Sequence, residues 1–172
     1  MSLLKRLLRP GGDDLAAYRP LWHRIVAVAR DPRWYKEGGV ADSLPGRFDA
    51  ITLVLCAVLL RMEGEESLRE ASARLAELFV SDMDGQLRES GVGDLVVGKH
   101  IGKLMSVLGG RLGAYREGLA ATDRAVLAAA IARNVTLREG ADAAAAADLL
   151  RALAAGLAAA SPAMLLAGEI AL

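Results

Sequence analysis

Between Ser43 and Gly64 the chain reads SLPGRFDAITLVLCAVLLRMEG, and no other stretch limits the fold so tightly. Phe48, Ile51, Leu55, Val58 and Met62 recur at helical spacing. Leu53, Val54, Ala57 and Leu60 fill the remaining sides. A helix that is apolar all round has to be enclosed by other elements. Pro45 suits the first helical turn, Asp42 and Ser43 are the candidate caps, and Gly64 ends the run. A buried strand is the other reading of a short apolar run, but the start signal and the length to Met62 favour helix.

The rest of the chain supplies helices to do the enclosing. Tyr18, Leu21, Trp22, Ile25, Val26 and Ala29 form one face of a helix capped by Asp13 or Asp14 and running to about Arg30. Asp31-Pro32 ends it, because the residue before proline avoids the helical region. A connection to Pro45 follows, carrying Trp34 and Tyr35 either as plugs of the core edge or as a recognition surface. Glu65 and Glu66 suit the start of a helix whose face is Leu68, Ala71, Leu75, Leu78, Phe79, Met83 and Leu87. Gly85 lies inside it, where a close backbone approach is expected. From Lys99 to about Leu119 an apolar stripe runs beside a small one, Gly102, Ser106, Gly109 and Gly113, which predicts close packing by another helix or else a groove. Thr122-Asp123, Asp142 and Ser161-Pro162 each start a further helix. Strand signals are nearly absent. At 172 residues, with 53% apolar but only 4% aromatic side chains, the expectation is one all-α bundle of about six to eight helices around a buried central helix. Its division is residues 1–12 as a short basic amphipathic segment and residues 13–172 as one helical domain.

In that first segment Leu3, Leu4, Leu7 and Leu8 fall on one face, and Lys5, Arg6 and Arg9 on the other. This pattern suits peripheral contact with an anionic membrane, or docking on the chain's own domain. Residues 1–47 carry a charge balance of +4, residues 48–98 of −6, and residues 99–172 of +2. So uneven a distribution, at zero net charge, speaks for separate electrostatic surfaces and against DNA binding. The single cysteine, Cys56, excludes an internal disulfide and reads as a buried small hydrophobe. Pro10-Gly11-Gly12 stands where a secretory signal needs an apolar stretch, and Ala50–Leu60 is too short to span a bilayer. The expected location is cytoplasmic, peripheral on the inner face of the cytoplasmic membrane.

No catalytic constellation stands out, and no cofactor or metal is assigned. Asp82-x-Asp84 looks like a Mg²⁺-binding pair, but side chains two apart on a helix diverge by ~200°. Gly91-Val92-Gly93 lacks the third glycine of a phosphate loop and follows a helix. Nothing around His23 or His100 suits haem. The charges of residues 79–103 belong either to pairs within the fold or to a docking surface.

That stretch carries a resemblance. Phe79-x-Ser81-Asp82-Met83-Asp84, then Leu87-Arg88-Glu89-x-Gly91-Val92-Gly93-Asp94-Leu95, then Val97-x-Lys99, resembles the core signature of the ubiquinol–cytochrome c chaperone family. Trp34-Tyr35 and Gly46-Arg47-Phe48-Asp49 resemble the family's other landmark. The similarity runs from about Arg30 to about Tyr115. It implies an all-helical, non-catalytic assembly chaperone, similar to factors that bind newly made cytochrome b and assist assembly of ubiquinol–cytochrome c reductase. Ribosome contact is implied by the resemblance only. It also tips the charged stretch toward docking, with Phe79, Asp82, Asp84, Arg88, Glu89, Asp94, Lys99 and Lys103, joined by Trp34 and Tyr35, as the partner-binding residues. A helical enzyme with an acidic Mg²⁺ cluster and a general protein–protein adaptor are the alternatives.

Overall fold

The computed structural model describes residues 15–89 and 97–170, with side chains described for 15–85 and 102–170. Over these residues the chain forms eight α-helices and one 3-10 turn. They are α1 (Arg19–Ala29), α2 (Pro32–Lys36), α3 (Leu44–Met62), the 3-10 turn Glu66–Leu68, α4 (Arg69–Glu89), α5 (Val97–Ala120), α6 (Arg124–Asn134), α7 (Ala143–Ala159) and α8 (Pro162–Leu166).

Helix α3 is the centre. Thirteen of its 19 residues are buried, and α1, α4, α5 and α7 all pack on it. Each Leu, Ile or Val it buries stabilises the fold by about 1.5–3 kcal/mol relative to exposure. Ser43 caps it by accepting from the backbone N–H of Gly46, and Pro45 lies in its first turn. The later starts are capped in the same way: Asp123 accepts from Ala125 N–H, Asp142 from Ala144 N–H and Ser161 from Met164 N–H. Helices α5, α6 and α7 then pack in succession.

Arginines tie the helix ends together. Arg61 donates from Nε to the carbonyl of Leu157 (3.0 Å) and from Nη2 to that of Ala160 (2.8 Å), so the end of α3 holds the end of α7. Arg151 donates to the carbonyl of Gly118 (3.0 Å) near the end of α5. Cations belong at C-terminal carbonyls, whose regular helical donors are missing. Arg24 reaches the carbonyl of Ile170 (2.6 Å).

Several expectations change. Asp31-Pro32 ends α1 but also starts α2, since Asp31 caps the N–H of Arg33 and Pro32 occupies the first turn. Trp34 and Tyr35 therefore sit on a helix, not in a loop. The 3-10 turn precedes α4 where Glu65 and Glu66 pointed to a regular helix start. A Cβ added at Gly85, Gly102, Gly109 or Gly113 would meet nothing within 4 Å, so neither the expected approach at Gly85 nor close packing along the small stripe is found among the described residues. The intimate contact lies further along α5, at Gly118, where a Cβ would come within 2.8 Å of Leu127 in α6.

Candidate functional site

Those residues of the resemblance that are described, among them Phe79, Asp82, Trp34, Tyr35, Gly46, Phe48 and Asp49, belong to the fastened framework of the fold. Asp82 in α4 accepts a hydrogen bond from Trp22 Nε1 in α1 (2.6 Å). The Phe79 ring lies edge-on to Trp22, centroids 6.3 Å apart, and 6.0 Å from Phe48 in α3. Trp34 Nε1 donates to the Val28 carbonyl and the Tyr35 hydroxyl to the Ala29 carbonyl, each at 3.0 Å, so α2 folds back against the end of α1. Gly46 has a steric reason to be glycine: a Cβ there would stand 1.9 Å from the Ala41 carbonyl oxygen.

Asp49 is the buried charge of the framework, at 5% exposure. One carboxylate oxygen accepts from Arg111 Nη2 in α5 (2.7 Å). The other accepts from the backbone N–H (2.8 Å) and hydroxyl (2.7 Å) of Thr136, beyond α6. A buried carboxylate is tolerable only when matched in this way. Arg111 also lies over the Phe48 ring, 5.6 Å from its centroid, while its buried Nη1 lacks a protein partner. Beside these, Thr136 and Arg138 bond the chain at Ala41 (2.9 Å) and Gly39 (2.8 Å), around an antiparallel bridge between Val40 and Leu137. Burial pushes the Cys56 thiol up to about 12, against the pull of Arg111, and raises the Tyr115 phenol as well.

Over this framework the surface is hollowed twice. One open hollow, about 870 Å³, lies toward α2 and the other, about 650 Å³, toward α5 and the end of α6. Leu44, Phe48 and Met83 line both, so the two form one cleft divided by an apolar ridge. Leu44 stands out at 75% exposure. Arg30, Lys36 and Arg138 line the first side, Lys103 and Arg133 the second. The lining carboxylates, Asp42 and Asp49, already face Arg47 and Arg111.

Of the expected contact residues, Phe79 and Trp34 are fully buried and serve the core. Asp82, expected on the outside, is half-buried with its carboxylate engaged by Trp22, which also leaves it unsuited to pairing with Asp84 around Mg²⁺. Tyr35 and Asp84 are half-buried, and Lys103 is exposed on the cleft. The side chains of Arg88, Glu89 and Lys99, and Asp94 altogether, lie outside the described residues, as do the side chain of Leu87 and all of Val92 and Leu95. Sequence reasoning missed Arg111 and Thr136. The available signal was Asp49 itself, a carboxylate set in a helix otherwise apolar all round.

Among the described residues no three His, Cys, Asp or Glu side chains gather as a metal ion requires. No helix among them is long and apolar enough to cross a membrane. Fold and cleft thus define a class: an all-helical protein with an open, basic-rimmed surface over a tightly fastened core. Comparison narrows the class to a family. The model of the family described as ubiquinol-cytochrome C chaperone matches residues 36–171. The crystal structure of the Cbp3 homolog from Brucella abortus is similar along nearly the whole length, with 33% identity, a TM-score of 0.80, and coverage of 99% of this chain and 96% of that one. Among curated proteins there is no match. The chain belongs to the ubiquinol–cytochrome c chaperone family.

Proposed function

We propose that the protein is a non-catalytic chaperone for assembly of ubiquinol–cytochrome c reductase, with newly made cytochrome b as its client. The observation that carries this reading is the family match across residues 36–171, reinforced by 33% identity to the Cbp3 homolog over the full fold. The cleft suits the task. It is open, apolar at its ridge and large enough for part of a polypeptide, and its framework gives it a fixed shape. The client contact then centres on the face between α2 and the start of α5, with Lys103, Tyr35 and Asp84 nearby. The basic amphipathic pattern of Leu3, Leu4, Lys5, Arg6, Leu7, Leu8 and Arg9 supports peripheral contact with an anionic membrane, next to which a membrane-protein client is made.

Copurification from the organism's own membranes tests the reading. The tagged protein should bring down cytochrome b, and its deletion should lower the amount of assembled reductase. Unchanged reductase, together with no reductase subunit in the eluate, would overturn it.

A further inference from the structure

The charge of the cleft specifies its occupant more narrowly than the family does. Arg30, Lys36, Arg138, Lys103 and Arg133 line it, and none has a carboxylate partner in an ion pair among the described residues. Among the described residues the lining carboxylates, Asp42 and Asp49, are each matched by an arginine, so the surplus there is positive. Between the two basic sides runs the ridge of Leu44, Phe48 and Met83. An exposed leucine on a ridge between cations asks for apolar contact along a line and negative charge on both flanks.

We infer that the cleft binds an amphipathic polypeptide segment with an apolar stripe flanked by Asp and Glu. A flat bilayer would meet the rim but not the floor, whereas a protruding segment fills a hollow. A segment flanked by Lys and Arg, as the cytoplasmic ends of membrane spans commonly are, would be repelled. The inference rests on the chaperone reading only in taking the occupant to be a polypeptide. It then says which part of a client, or of a co-assembling protein, the cleft takes.

The test is fluorescence anisotropy with the full chain and labelled amphipathic peptides of about 18 residues, roughly five helical turns. Three peptides share one apolar stripe and carry Glu, Gln or Lys on its flanks. Affinity should fall in that order, by about tenfold or more from Glu to Lys, and the difference should shrink as salt is raised. Arg133→Glu with Arg138→Glu should abolish or reverse the preference, and Leu44→Asp should weaken all three peptides. These positions are exposed, so circular dichroism should show the fold unchanged. Equal binding of the three peptides, or Glu-peptide binding untouched by the variants, overturns the inference. So does binding of phosphatidylglycerol vesicles, lost in the variants, with no peptide bound; the cleft is then a lipid site. Self-association lost in the same variants, again without peptide binding, would make a second copy the occupant. The two readings fail separately: cytochrome b still copurifying with the charge-reversed variant leaves the chaperone reading standing without this cleft, and peptide selectivity without reductase subunits in the eluate does the reverse.

Discussion

A single methyl group separates two glycines of this chain that look alike in sequence. At Gly46 a Cβ would be driven into the Ala41 carbonyl at 1.9 Å, and backbone cannot yield there without moving α3. Gly46→Ala should therefore cost about 3 kcal/mol or more. Gly85→Ala, in open space, should stabilise α4 by about 1 kcal/mol. Urea unfolding of both variants checks the pair, and similar effects in the two would contradict the geometry. Asp49 offers a second contrast. Asp49→Asn leaves Arg111 buried without its counter-charge and should cost about 3 kcal/mol, while Asp49→Leu combined with Arg111→Met should cost less than the two single changes added. What could be read in advance at this scale was local. Ser43, Asp123, Asp142 and Ser161 were legible as caps because a cap bonds two or three residues away. Arg111 and Thr136 were not, since they meet Asp49 only across 62 and 87 residues of chain.

Among elements, the joints hold the interest. Arg61 gives the Ala160 carbonyl a partner and adds a second to that of Leu157, which also accepts from Ala160 N–H. Hydrogen bonds from a charged donor contribute about 1.5–3 kcal/mol in all, so Arg61→Leu should lower stability by about 2 kcal/mol. Hydrogen exchange should quicken around residues 157–166, ahead of α3. If exchange rises evenly over all helices, Arg61 is not a local fastening. Helix positions were legible because the 3.6-residue period and the start signals lie within each segment. The partner of a face was not. The stripe Gly102, Ser106, Gly109 and Gly113 shows correctly that one side of α5 is small. Spacing carries no information about what comes to meet it, and α6 docks further along, at Gly118. In the signature around Phe79 the inward contact of Asp82 was not legible either, because a conspicuous charge can be taken up by a buried indole as readily as by a partner.

For the molecule as a whole, the interior sets an alkaline limit. In the folded state the Cys56 thiol is pushed up to about 12 from 9.0, and the Tyr115 phenol is raised above 10.0, in both cases by burial. Above pH 9 the unfolded chain loses these protons while the folded one keeps them, so it binds fewer protons and stability falls with pH. Their contribution is complete below pH 9 and lost progressively from there to about pH 12. Melting temperature should decline over that window, and Cys56→Ala should flatten the decline; a curve of unchanged shape would mean the thiol is reached by solvent. The bonds that cross the whole fold also set a timetable. Asp49 leaves the ribosome 87 residues before Thr136, and Arg24 leaves 146 residues before Ile170. At about 5–20 residues per second, Asp49 waits roughly 3–12 s for Arg111 and roughly 4–17 s for Thr136. Until Arg111 emerges α3 carries an unpaired carboxylate, and until Thr136 follows, the wall of the cleft beside it does not exist. An assembly chaperone of this build is thus itself without a finished cleft until the chain beyond α6 has been made.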